Sequence, residues 1–259
     1  MPFLDLAGAR FHYRIDGAAA APVVMLSNSL GTNLAMWEGQ LPPLTTRYRV
    51  LRYDTRGHGE SAVTKGPYTI EQLARDAIAL LDALAIERVN YCGLSMGGMI
   101  GQWLGAHAPH RLAKLVLANT TAKIGAPETY NARIDTVRNG GMAAITDAVL
   151  ARWFTPAFLT ASPTAVARVR AMLDGTPPEG YIACCEAIRD MDQRETIGKI
   201  GVPTLVIAGT HDIPTPLTDG RFLADRIKGA LFVELPAAHL SNIEAAPAFT
   251  SALIDFLNA

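Results

Sequence analysis

Val89-Asn90-Tyr91-Cys92-Gly93-Leu94-Ser95-Met96-Gly97-Gly98 decides the fold. A short apolar run ends in Gly-x-Ser-x-Gly, and Met99 to His107, helical in character, follows at once. Strand, turn and helix in that order lift a serine out of the backbone, with its hydroxyl exposed at the C-terminal end of a sheet strand. Gly93 and Gly97 flank Ser95 because side chains there would collide as the chain reverses, and Gly98 lets helix and strand approach closely. Glycine and serine also recur together in ordinary loops, but such loops do not require an apolar strand before them and a helix after.

The 259 residues are 49% hydrophobic and carry a formal charge of -1. That is enough chain to bury one large α/β core with an inserted subdomain. A near-neutral balance without basic clusters leaves no electrostatic footprint for nucleic acid or an anionic membrane. No apolar run is long enough to span a bilayer, and Met1 to Asp5 does not begin a secretory signal. Cys92, Cys184 and Cys185 are odd in number, two of them adjacent, and lack metal-ligand spacing. Reduced thiols in a cytoplasmic protein without metal are the expectation. A homo-oligomer is compatible with this composition.

Outward from the Ser95 turn, strands alternate with helices. Phe3 to Leu6 and Ala9 to Ile15, separated by Ala7-Gly8, read as a hairpin, and Pro22 to Leu26 as a buried parallel strand. That strand empties into Ser27-Asn28-Ser29-Leu30-Gly31-Thr32-Asn33, with a helix expected through Trp37 and Leu41. Arg49 to Tyr53 is a strand leading into Asp54-Thr55-Arg56-Gly57-His58-Gly59, where Asp54 and Arg56 are expected to form an ion pair. Thr69 and Gln72 spell a capping box, and Ile70, Leu73, Ala77, Leu80, Leu81 and Leu84 repeat at helical spacing. Lys114 to Asn119, Pro203 to Gly209 and Ala230 to Leu235 are further strands. Helices are expected near Thr218 to Ile227 and from about Ser241 to Leu257. This order implies a parallel sheet with helices on both faces. The rhythm breaks between Thr121 and Ile200, where helices are expected over Ala143 to Phe154, Pro163 to Leu173 and Tyr181 to Met191. The expected division is a core of residues 1–120 and 201–259 with a helical cap, 121–200, over the turn.

A serine nucleophile needs a general base, and the base needs a group that fixes its tautomer. Of six histidines, His239 stands in the loop leaving the last strand, at the same end of the sheet as Ser95. Among carboxylates at strand ends, Asp212 follows Gly209-Thr210-His211, whereas Asn119-Thr120-Thr121 supplies none. Ser95, Asp212, His239 is the serine–acid–histidine order of one hydrolase fold. The oxyanion donors are then the backbone N–H of Met96 and, from the loop after the first parallel strand, that of Leu30.

With these residues placed, the chain resembles the α/β-hydrolase superfamily over nearly its whole length. Asp54-x-Arg56-Gly57-x-Gly59-x-Ser61, Gly93-x-Ser95-x-Gly97, and His239 followed by Glu244 and Pro247 carry the resemblance. It implies a mostly parallel, eight-stranded sheet with an inserted helical cap. Many relatives begin the oxyanion loop with His-Gly, and here Asn28-Ser29 stands instead. Ser27 to Thr32, Gly93 to Gly98, Arg152-Trp153-Phe154-Thr155-Pro156-Ala157-Phe158 and Gly209 to Asp212 are similar to the 3-oxoadipate enol-lactonases. That similarity implies cofactor-free opening of a small anionic lactone in the breakdown of aromatic acids.

The free carboxylate of such a substrate wants a cation or several N–H donors. Lys123, Arg133, Arg138 and Arg152 are the candidates in or beside the cap; Arg133 and Arg152 are preferred because neither has a helix-spaced acidic partner. Trp153 is a candidate substrate wall as well as cap core. A carboxylesterase, a perhydrolase and a carbon–carbon bond hydrolase would use the same residues. A ligand-binding receptor on this fold would carry lost triad members, and none is lost here.

Overall fold

A computed structural model describes residues 2–6 and 8–259, so Ala7, in the expected first turn, lies outside the described residues. Eight strands form one sheet: β1 (Phe3–Leu6), β2 (Ala9–Asp16), β3 (Val23–Ser27), β4 (Arg49–Tyr53), β5 (Val89–Leu94), β6 (Leu112–Ala118), β7 (Thr204–Gly209) and β8 (Leu231–Leu235). Their spatial order is β1-β2-β4-β3-β5-β6-β7-β8. β1 and β2 pair antiparallel, β2 runs antiparallel to β4, and every later pairing is parallel. This is the mostly parallel α/β-hydrolase sheet. All six residues of β7 are buried, so both faces of the sheet are covered there.

Helix Ile70–Ala83 begins at Thr69, whose hydroxyl accepts the Gln72 N–H at 3.0 Å. Its apolar stripe of Ile70, Leu73, Ala74, Ala77, Leu80 and Leu81 is buried, as 3.6-residue periodicity requires. Truncating Leu80 to alanine is expected to cost about 2–5 kcal/mol. Helix Met96–His107 is apolar nearly all round because it packs on β3, β5 and β6 as well as on the neighbouring helix.

Two expected helices are interrupted, each by proline. Leu34–Gln40 is a 3₁₀ helix that passes into the short helix Leu41–Leu44, where Pro42 and Pro43 lack N–H groups. At the C-terminus the helix breaks at Ala245 into Ser241–Glu244 and Ala246–Asn258, with Pro247 in the new first turn.

Between β6 and β7 five helices follow one another: Pro127–Gly140, Ala143–Trp153, Pro156–Ala161, Pro163–Asp174 and Pro178–Asp190. Proline opens four of them, where a missing N–H costs nothing. Pro127–Gly140 goes beyond the helices that periodicity predicts, because it buries only Ile134 and Val137 and shows no apolar stripe. It closes at Gly141, whose positive φ of 67° favours glycine.

The Asp54–Arg56 ion pair does not form. Asp54 Oδ2 lies 2.7 Å from His12 Nδ1, and the Arg56 guanidinium grips Asp76 in a two-point contact at 2.6 and 2.7 Å. Each side chain finds a buried partner far away in sequence, and the fork geometry of a guanidinium suits the carboxylate of Asp76.

Candidate active site

The end of β5 and the start of helix Met96–His107 force Ser95 to φ 58° and ψ -115°. A non-glycine residue held there stores about 1–3 kcal/mol of strain. Its neighbours leave it no alternative. A Cβ on Gly93 would lie 2.1 Å from Gly97 O, and one on Gly97 would lie 2.2 Å from Ser27 O. The turn is pinned by Ser95 N–H donating to Ala118 O at 2.9 Å and by the Thr120 hydroxyl donating to Ser95 O at 2.8 Å.

Ser95 and His239 line the same cavity, of about 520 Å³. His239 is buried, and its Nδ1–H donates to Asp212 Oδ1 and Oδ2 at 3.0 and 2.9 Å, which leaves Nε2 as the basic nitrogen. Among the described residues Ser95 Oγ has no hydrogen-bond partner; in unliganded sites that contact commonly tightens only when substrate arrives.

Asp212 has four donors in all, the others being Thr215 N–H at 3.0 Å, the Thr215 hydroxyl at 2.8 Å and Asn119 Nδ2 at 2.9 Å. Burial pushes its carboxyl upward, but attraction to His239 and these hydrogen bonds prevail, so it lies below the usual carboxylate range and stays ionised. Nothing in the sequence marks Thr215 and Asn119 for this role, since short polar residues at strand ends are commonplace.

The loop after β3 presents Leu30 to the cavity. Around it, Ser29 N–H points to Met36 Sδ at 3.3 Å, Gly31 N–H to His58 Nε2 at 2.8 Å and Thr32 N–H to Ser29 O at 3.2 Å. Among the described residues the Leu30 and Met96 N–H groups have no partner, so both are available to an anionic oxygen.

The other histidines are engaged elsewhere or face solvent. His58 is fully buried, and burial pulls it down to about 4 despite its contact with Arg56 O. His12 pairs with Asp54, His107 stacks on Trp103 with ring centroids 4.6 Å apart, and His110 and His211 are exposed. Cys92 is sealed in β5, and burial pushes its thiol far up.

Lys123, Arg133, Arg152 and Arg194 line the cavity, against one carboxyl, Asp219, which burial pushes upward. Lys123 and Arg194 share Asp192 at 3.1 and 2.7 Å. Arg138 instead pairs with Asp135 at 2.7 Å and does not face the cavity. Arg133 sits 5.0 Å over the Tyr130 ring, and Arg152 Nε is buried without a hydrogen-bond partner. Among the described residues neither arginine has a carboxylate partner. Trp153 is buried, lines the cavity and lies 6.0 Å from the His239 ring, so it is both packing and wall.

One further link runs through Glu244, which the resemblance singles out in the sequence without showing its partners. Glu244 Oε2 accepts the Ala238 N–H at 2.8 Å, while Oε1 accepts the N–H and hydroxyl of Thr155. Leu240 N–H donates to Trp153 O at 3.2 Å. The His239 loop is thereby bound to the inserted helices.

This fold, with a strained serine sharing a cavity with the histidine of an Asp–His pair, defines an α/β hydrolase. The family model described as the alpha/beta hydrolase fold matches residues 22–246. The 3-oxoadipate enol-lactonase 2 of Acinetobacter baylyi is 44% identical over 242 residues, 93% of this chain and 91% of that protein. The 3-oxoadipate enol-lactonase 1 of the same organism is 38% identical over 252 residues, covering 97% and 94%. The crystal structure of the enol-lactonase from Burkholderia xenovorans matches with a TM-score of 0.98 at 49% identity, covering 100% of both chains. The chain belongs to the α/β-hydrolase family and, within it, to the 3-oxoadipate enol-lactonases. No helix among the described residues is long and apolar enough to cross a membrane.

Proposed function

We propose that the chain opens 3-oxoadipate enol-lactone to 3-oxoadipate, with Ser95 as nucleophile, His239 as base and Asp212 as its orienting acid. The observation that carries the substrate class is the pair Arg133 and Arg152, cations without carboxylate partners in the cavity that holds Ser95 and His239. A half-buried guanidinium left unpaired in a cavity wall is a receptor for an anionic group.

Ser95 Oγ attacks the lactone carbonyl carbon while His239 Nε2 takes its proton, and the Leu30 and Met96 N–H groups hold the oxyanion. Collapse breaks the ring carbon–oxygen bond, and His239 returns the proton to the departing enol oxygen. The enol tautomerises to the ketone. Water, activated by His239, then cleaves the acyl-enzyme and frees Ser95. Residues 121–200 act as a cap that supplies the arginines and Trp153. All three cysteines are free, which supports a reducing, cytoplasmic setting.

The test follows the ultraviolet absorbance of the enol-lactone, beside a panel of simple neutral esters. Rapid loss of absorbance is expected. Hydrolysis of the neutral esters with the lactone left untouched would overturn the substrate and return the chain to a general carboxylesterase.

A further inference from the structure

Asn119 stands at the end of β6, one strand over from Ser95, where the sequence offers no carboxylate for the triad. It is buried and holds a φ of +45°. That left-handed conformation is uncommon for a residue with a side chain, although asparagine tolerates it better than most. The strain is matched by a fully used amide. Nδ2 donates to Asp212 Oδ2 at 2.9 Å and to Ala238 O at 3.2 Å. Oδ1 accepts the Ser241 hydroxyl at 2.5 Å, and the backbone N–H donates to Ile207 O at 2.8 Å. One side chain therefore touches the acid loop after β7 and both sides of His239 in the loop after β8. There is little slack around it, since a Cβ on Gly209 would lie 3.1 Å from Asn119 Nδ2.

We propose that Asn119 is a positioning residue for the hydrolytic reaction: its amide locks the Asp212 carboxylate and the His239 loop into one geometry from the neighbouring strand. The inference rests on Asp212 and His239 acting as acid and base. Two donors and one acceptor are all needed, which only an amide of this length supplies. Asn119 does not line the substrate cavity, so it acts on turnover rather than on binding. The charged and titratable groups around it are Asp212 in contact, His239 on the far side of Asp212, Asp219 near Asp212, and Glu244 on the Ala238 N–H.

The test uses the full chain and p-nitrophenyl acetate, a small neutral ester, read at its isosbestic wavelength. Failure of the lactone assignment therefore leaves it untouched. Asn119→Ala is expected to lower kcat about tenfold to a hundredfold with KM changed less than about twofold. Asn119→Asp keeps the shape but sets a second carboxyl against Asp212. Two carboxyls that close cannot both ionise readily, so they share a proton at low pH and lose it as pH rises. Asn119→Asp should therefore change the shape of the pH profile of kcat relative to the wild-type protein. A thermal melt shows whether each variant folds; if Asn119→Ala does not, the Asn119→Asp profile decides. An Asn119→Asp profile parallel to wild type at any level, or a loss confined to KM, overturns the proposal. Ser95→Ala run alongside separates the two ideas, because activity surviving there means the triad itself is misassigned.

Discussion

Among the described residues there are two buried Asp–His pairs, and the histidine of one lines the cavity that holds Ser95. His12 Nδ1 lies 2.7 Å from Asp54 Oδ2, while His239 Nδ1 lies 2.9 Å from Asp212 Oδ2. Both carboxylates follow the C-terminal ends of parallel strands, and both accept backbone N–H groups: Leu34 and Glu60 at Asp54, Thr215 at Asp212. The difference is at the far nitrogen. His12 Nε2 is sealed and unpartnered, with Phe3 against the ring at 5.2 Å, whereas the His239 ring lines the cavity of Ser95. A carboxylate behind a histidine is common architecture; His239, unlike His12, shares its cavity wall with a strained serine.

Removing each histidine in turn should separate the two pairs by orders of magnitude in turnover. Ser95→Ala and His239→Ala are each expected to lower kcat by about 10⁴ to 10⁶, and the double variant should be little worse than either alone. His12→Ala should keep kcat within about tenfold, because it lies outside the reacting groups. Equal losses from His12 and His239 in steady-state assays would erase the distinction.

The second contrast is stability. Asp54→Ala strips the acceptor from His12 and from the Leu34 and Glu60 N–H groups, so about 3–5 kcal/mol of unfolding free energy should be lost in urea titrations. A midpoint shift worth less than about 1 kcal/mol would mean that the Asp54 pair is incidental.

A third buried histidine, His58, makes stability depend on pH. The folded value of His58, about 4, lies below its ordinary 6.5, so between those values the unfolded chain binds more protons. Stability from this group is full above pH 6.5 and falls as pH drops towards 4, by at most about 3 kcal/mol. Unfolding free energies measured across that window should slope in wild type and flatten in His58→Gln. Identical slopes would place the proton uptake on other groups.

The smallest expected effect lies in the cavity wall. Neutralising Arg133 or Arg152 to methionine should lower kcat/KM on the lactone about tenfold to a hundredfold for at least one of them, or about 1.4–2.7 kcal/mol. A neutral ester should hardly notice. If both variants treat lactone and ester as wild type does, the substrate carboxylate is held elsewhere.

Much of the site is legible in the sequence because strained geometry restricts composition. Gly93, Ser95 and Gly97 read as a turn since nothing larger than glycine fits at 93 or 97, where Gly97 O and Ser27 O crowd the missing side chains. Chain order then singles out Asp212 and His239, which the structure joins by hydrogen bonds, with His239 and Ser95 lining one cavity.

What stays hidden depends on partners distant in sequence. Asn119 and Thr215 look like ordinary strand-end polar residues until the acid is beside them. Asp54 and Arg56 are close in the chain, yet each reaches a different buried partner, His12 and Asp76. Helix Pro127–Gly140 lacks an apolar stripe, so periodicity does not reveal it, although it carries Arg133.

The carboxylate of Glu244 has a consequence for swapping parts between relatives. It joins Ala238, beside His239, to Thr155 in the inserted helices, and Leu240 N–H joins the same loop to Trp153 O. The insertion is therefore not a free-standing module. A chimera cut at 120 and 201 keeps both contacts to Glu244 only if the incoming segment offers an N–H and a hydroxyl at position 155. One carrying valine there should fold yet turn over slowly, and the graft boundary that matters runs through Thr155 rather than through the ends of the insertion.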